Sequence, residues 1–383
     1  MASLALAALA AACQVLVGIG SRDEAAVEKP PTADGSIRED AGADAADAAE
    51  SSLACKIGQS VCAGACVDVR TDDRHCGACG HSCLGVACNA GECTPEVVVP
   101  DTVEGAVYVH GDELLFRRGV DGSSTGRLVA RHLATGDERT VVGDVRDFMV
   151  MSQFSGSSWL LVDFAPARIR LVDVVFGSST TVYSDPTCPA IRSVVPDGDE
   201  LFFPTRGDIR RIRVDGTGLT VLKTITEGPA GAVPALVVSG GTIYHGVEDV
   251  PSLFAFPRGG GATTTVDRGT GELAYVEVAA GSVAWLSGGQ LRDVPYDGGA
   301  PSALPTFTVF PQPSPQRRDD YLYVGDVEFG KKHNRLVRID RRSGEVLVLE
   351  SELADFGLIA VDAKYVYVAR FPKAGGGIYR VAR

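Results

Sequence analysis

From Pro95 to Arg383 the chain alternates short apolar runs with polar turns, and it almost nowhere shows the spacing of an amphipathic helix. The runs "DELLFRR", "DELFFPT", "GTIYHGV", "GSVAWLS", "DDYLYVG" and "AKYVYVA" each set a large apolar residue just after a turn. These residues are Phe116, Phe203, Tyr244, Trp285, Tyr323 and Tyr367. The steps between them are roughly 40 residues with one double gap, which "SSWLLVDF" fills with Leu161 near its midpoint. A second piece recurs at the same period. "ARHLATGDERTVV", "RIRVDGTGLTVL", "FAFPRGGGATTTV", "RDVPYDGGAPSAL" and "VRIDRRSGEVLVL" alternate on either side of a Gly-bearing turn, as a hairpin half-buried between neighbours requires. Each unit is thus two strands, a loop and a two-strand hairpin. Repeated radially, such units predict an all-β fold, a seven-bladed β-propeller over 95–383. A pair of β-sandwiches would explain the short strands but not the period.

The two ends of this region are expected to meet. The last unit, "LIAVDAKYVYVARFPKAGGGIYRVAR", holds three strands, and "PEVVVPD" supplies an orphan strand before the first unit. Val97 to Val99 would complete the last blade against Gly377 to Ala382 and remove an open edge. The sixth unit departs from the pattern, because "FPQPSPQ" places three prolines where the innermost strand belongs.

Residues 55–94 follow different rules. Eight of the ten cysteines lie here: Cys55, Cys62, Cys66, Cys76, Cys79, Cys83, Cys88 and Cys93. Between them stand mostly Gly, Ala, Asp and Asn, too little apolar volume for a self-sufficient core, so a small disulfide-rich module is expected. Each bridge contributes on the order of 2–4 kcal/mol by constraining the unfolded chain. Zinc is the rival reading, with His75 and His81 as spare ligands beside Cys76 and Cys79. Eight cysteines exceed one tetrahedral site, and thiolates survive poorly outside the cytoplasm. No metal and no cofactor is expected.

The stretch "CAGACVDVRTDDRHCGACGHSCLGVACNAGEC" resembles the cysteine-rich module of the stigma-specific protein family of plants, which recurs in myxobacterial secretomes. The matching elements are "C-x3-C-V-D", "T-D", "C-G-A-C-G-x2-C" and a closing "G-x-C". The resemblance implies a secreted module with an interaction role and no catalytic residues of its own.

The chain opens with about twenty uncharged residues, "MASLALAALAAACQVLVGIG", read as an export signal over 1–20. The small residues before Cys13 resemble the lipobox of bacterial lipoproteins. By that resemblance Cys13 is cleaved to the N-terminus and acylated, anchoring the chain to a membrane. The alternatives are ordinary secretion or an uncleaved anchor helix. Residues 21–54 form an acidic Ala/Asp-rich linker without aromatic residues, which is expected to be a disordered tether. Its nine acids and three bases between Ser21 and Ser52 supply about six of the net charge of −13. The acidity belongs mainly to the tether, and no basic stripe exists to recruit nucleic acid.

The search for chemistry is short. The six histidines make no metal spacing, and no nucleophile elbow or phosphate loop occurs. "PDGDE", Pro196 to Glu200, has the opening acids of a calcium loop but lacks the later ligands. His110 and Glu277 are the only candidates for a propeller-type hydrolase or lactonase with a site at the central channel. A non-catalytic binding role is the preferred reading, with no catalytic residues assigned. Loops between second and third strands share a face with the connections between blades. That arrangement gathers Arg206, Asp208, Glu248, Asp249, Lys331, Lys332, His333, Arg370 and Lys373 as a possible binding face for a protein or glycan. Cys188 remains over as a free thiol. The expectation is a monomeric, extracytoplasmic surface protein, at the outer membrane as a lipoprotein or secreted.

Overall fold

The computed structural model describes residues 55–383 apart from 101–103, 120–124, 147–149, 165–166, 187–190, 192, 229–234, 248–249, 271–272, 280, 288–289, 297–298, 301, 307–309, 312–315, 328–333, 354–355 and 371–375. Cys13 and Cys188 therefore lie outside the described residues, as do the signal expected over 1–20 and the tether expected over 21–54. Every regular element among the described residues is a strand.

After the cysteine module, seven antiparallel sheets follow one another along the chain. The first is built from Glu104–His110, Glu113–Gly119, Thr125–His132 and Glu138–Arg146, paired in that order. The second to fifth sheets repeat the same up-and-down order. Second strands are buried on both faces, as in Glu200–Pro204, Ser282–Ser287 and Tyr365–Arg370. This explains why their sequences read as continuous apolar runs rather than alternations. Fourth strands such as Ser178–Asp185 and Thr220–Thr224 are largely exposed.

The sixth sheet carries the expected irregularity. Its inner strand is broken into Phe310–Pro311 and Gln316–Arg318, both paired with Tyr321–Val327. Proline has no N–H for the ladder, and the two pieces lie on either side of the proline-rich run "QPSP".

The seventh sheet joins the ends of the repeat region. Phe356–Val361, Tyr365–Arg370 and Ile378–Ala382 are followed in the sheet by Glu96–Val99. Ile378 pairs with Val99, Tyr379 with Val97 and Arg380 with Glu96. Arg380 Nε also donates to Glu96 Oε2 at 2.8 Å. Of the three valines only Val99 is fully buried, while Val97 is 55% exposed. Val97 and Val99 would share a face in a regular strand, but the register shifts between Ile378 and Tyr379, and the extra residue on this strand, Val98, interrupts the alternation.

Apolar clusters bind each sheet to the next. Leu115 meets Trp159, Leu160 meets Leu201, and Phe202 meets Ile243 within their clusters. Leu253, Trp285 and Leu322 join the fourth to the sixth sheet, and Leu336 and Val366 join the sixth to the seventh. Phe116 and Tyr367 share a cluster that links the seventh sheet to the first.

The module has two small hairpins, Ser60–Cys62 with Ala65–Val67 and Cys88–Asn89 with Glu92–Cys93. Its bridges are Cys55–Cys66, Cys62–Cys79, Cys76–Cys88 and Cys83–Cys93. Cys62, His75 and Cys79 place ligand atoms close together, as do Cys76, Cys83 and Cys93. All five of those cysteines are spent in disulfides, which offer no thiolate to zinc. The expected result of alkylation and mass spectrometry without reductant is no modification at any of the eight positions. Stoichiometric zinc that a chelator removes with loss of structure would overturn the pairing.

Candidate binding face

Second strands run toward one face of the sheet array, third strands start there, and fourth strands end there. At this face a charged pair recurs between neighbouring sheets. Asp144, near the end of a fourth strand, meets Arg168 near the start of the next sheet's third strand at 3.5 Å. Arg168 and Arg170 also hold Asp163, whose side chain is wholly buried, at 2.7 and 3.2 Å. Asp144 adopts φ +51°, a left-handed conformation that lets its carbonyl accept from both arginines. Arg210 sits 3.7 Å from Asp185 and donates to the Tyr183 hydroxyl at 2.9 Å. Arg292 holds Asp267 through two nitrogens at 2.6 and 2.9 Å. Arg370 pairs with Glu350 at 2.5 Å and stacks over Tyr379. Planar guanidinium groups suit this task because one side chain can bridge two strands with fixed geometry.

The expected binding residues divide against this background. Arg206 is exposed in the turn between second and third strands of the third sheet. Asp208 accepts at 3.2 Å from Arg210 on its own strand, the arginine that also reaches Asp185 of the neighbouring sheet. Arg370 is likewise engaged with Glu350. Glu248, Asp249, Lys331, Lys332, His333 and Lys373 lie outside the described residues. The pairs were not foreseen from sequence, although arginines interrupting third strands in "ARIRLV", "DIRRIR" and "QLRDVP" were a usable signal.

The channel candidates lie on different sheets. His110 ends the first strand of the first sheet, and its Nδ1 faces Trp159 Nε1 at 3.4 Å with the rings edge to face. Glu277 belongs to Leu273–Ala279 in the fifth sheet, opposite Ala284. Of the three acids of "PDGDE", Asp197 and Glu200 are held by Arg258 at 2.7 Å, and Asp199 pairs with Arg213 at 2.8 Å.

His245 was missed in the sequence. It lies on Thr242–Gly246, fully buried and stacked on Phe254, and neither ring nitrogen has a hydrogen-bond partner. Burial lowers its pKa to about 4, against a smaller opposing pull from Glu227. A histidine unfolds to a pKa near 6.5, so the unfolded chain binds the proton more tightly. Its contribution is therefore intact above about pH 6.5 and is lost as pH falls toward 4, about 3 kcal/mol in all. His245→Phe is expected to flatten the loss of stability between pH 6.5 and 4 in urea titrations. An unchanged slope would rule the residue out as its source.

Comparison with known proteins agrees with this two-part architecture. The model of the Stigma-specific STIG1-like protein family matches residues 29–96, so the match begins within the acidic segment, spans the module and ends at the first residue of Glu96–Val99. No curated protein matches the chain. An oligogalacturonate lyase from Vibrio parahaemolyticus is similar in structure, with TM-score 0.57 and 11% identity over 75% of this chain and 91% of that one. Virginiamycin B lyase from Staphylococcus aureus gives TM-score 0.57 at 12% identity, over 75% and 97%. The extracellular domain of a hybrid two-component system from B. thetaiotaomicron gives 0.56 at 10%, over 76% and 43%. At such identities the likeness shows the fold alone. The chain is a STIG1-like cysteine-rich module followed by a propeller-type region.

Proposed function

We propose that the chain is a lipid-anchored extracytoplasmic binding protein, with the seven sheets as blades of a closed propeller. The partner is a protein or a glycan, held on the face where second-to-third-strand loops emerge, and the role is non-catalytic. The observation that carries this reading is the recurring charged pair at that face. It fixes the strands up to the points where loops leave them, the arrangement of rigid scaffold and variable loop that binding proteins use. Support for closure comes from the Val99 to Ile378 pairing and from the cluster shared by Phe116 and Tyr367. The four-disulfide module supports an oxidising compartment.

Two measurements test the proposal. Cys13→Ser is expected to abolish acylation and move the protein from membrane to soluble fractions; unchanged partition would remove the lipid anchor. Residues 55–383 immobilised on beads are expected to retain a protein or glycan from envelope fractions. Arg206→Glu should weaken that retention while leaving the melting temperature within about 1–2 °C, since exposed substitutions shift stability by at most about 0.5 kcal/mol. Equal capture by both forms would move the site off this face.

A further inference from the structure

We infer that the disulfide module works on its own chain, as a clasp that ties the sixth sheet to the seventh and secures the strand Glu96–Val99. One side of the module is a cystine-rich apolar surface. Cys76, Cys83 and Cys93, each at most 1% exposed, share a cluster with Leu336, Leu347, Leu349 and Val381 of the two sheets. Half-cystines this deeply buried in a module of about forty residues need an apolar surface from elsewhere, and the propeller region provides it.

Contact is close enough to be specific. A Cβ on Gly77 would lie 2.5 Å from the Gly91 carbonyl oxygen and 3.0 Å from Leu347 Cδ1. Gly77 is also at φ +74°, so glycine alone satisfies both the approach and the backbone. Two polar anchors fall on different sheets. Glu92 Oε2 accepts from the Ser351 N–H at 3.0 Å, on the outer strand Val346–Leu353 of the sixth sheet. His81, 3% exposed, has Nε2 at 3.3 Å from the Ala382 carbonyl on the third strand, Ile378–Ala382, of the seventh. Its Nδ1 meets the Cys76 carbonyl, so the imidazole spans from module to propeller region. Cys93 is only three residues before Glu96, which leaves the module little freedom to swing away.

The module thereby bridges the sixth and seventh sheets and, through its three-residue link, holds the N-terminal strand Glu96–Val99 beside them. The interaction role implied by its family resemblance has its first partner in cis. Ile57, Val61 and Leu84 of the module are exposed and stay open to other molecules. The clasp stands or falls independently of the binding face proposed above.

The test uses the 55–383 chain with a specific protease sequence inserted between Thr94 and Pro95, cut under native conditions. The cleaved module is expected to co-elute with the propeller region in gel filtration. Leu347→Glu, in the contact, is expected to lower the retained fraction about tenfold or more. Val346→Glu, on the neighbouring position that is 47% exposed, should leave it unchanged. In the uncut chain, Leu347→Glu should speed hydrogen exchange at the amides of Ile378–Ala382 and Val346→Glu should not, a readout that survives failure of the inserted chain to fold. A wild-type module that elutes free after cleavage overturns the clasp. So does exchange in Leu347→Glu no faster than in Val346→Glu.

Discussion

A chain that begins at Thr102 is expected to melt well below one that begins at Pro95. The difference between them is the strand Glu96–Val99, and both lack the module. Val99 is fully buried, and burying one valine contributes about 1.5–3 kcal/mol. Loss of the strand also frees the outer edge of Ile378–Ala382 and ends the pair between Glu96 and Arg380. With about 1 kcal/mol for each ladder hydrogen bond lost, the total comes to about 3–5 kcal/mol. At roughly 2 °C per kcal/mol for a region of this size, the melting temperature should fall by about 6–10 °C. The shorter chain should also aggregate more readily, because a bare edge is a template for pairing. Equal melting by differential scanning calorimetry would sink both the strand's role and the closure proposed from it. A third chain beginning at Cys55 isolates what the module adds.

Asp267→Ala is expected to cost a comparable 3–5 kcal/mol, the range for removing one member of a buried charged pair. Burial opposes ionisation of Asp267, yet hydrogen bonds from Arg292 and Trp285 hold its carboxyl below the usual range. Trp285 Nε1 donates to it at 2.9 Å from a ring with no solvent exposure. Truncation leaves a buried indole N–H and a guanidinium without their acceptor. Because the carboxyl is depressed, its stabilisation holds above the unfolded pKa of about 3.9 and fades as pH drops through and below it. Asp199→Ala serves as the control, since its pair with Arg213 is exposed and should be worth at most about 1 kcal/mol. Urea denaturation at pH 7 decides the matter: similar losses in the two variants would deny Asp267 a special role.

The repeat was legible because its anchors are the most buried side chains of each unit. Phe116, Phe203, Trp285, Tyr323 and Tyr367 are each no more than 1% exposed, and so is Leu161, which filled the double gap. Tyr244 is the exception; it is only partly buried and lies against Tyr296, while its neighbours Ile243 and His245 take the interior positions. The prolines of the sixth unit announced its broken strand for a purely local reason, the missing N–H. What the sequence concealed were pairings between residues on different sheets. Asp267 and Arg292 lie in adjacent units, and each alone resembles a solvated charge at a strand end. Periodicity ranks positions along one strand and carries no information about which acid faces which arginine. The disulfide pairing was hidden for the same reason, since eight cysteines permit many connectivities.

The order of the bridges bears on mechanics. Tension applied at Cys55 passes through Cys55–Cys66 to Cys62, through Cys62–Cys79 to Cys76, and through Cys76–Cys88 to Cys93. Most of the module's contour length is thereby short-circuited by covalent bonds, so it acts under load as a stiff, nearly inextensible link. Force reaches Glu96 and runs along the axis of Glu96–Val99, which lies antiparallel to Ile378–Ala382. The hydrogen bonds between these strands stand across that axis and are loaded together in shear, rather than peeled one after another. Pulling on a surface-tethered molecule with bound cargo should therefore show a single high-force rupture, with little extension before it.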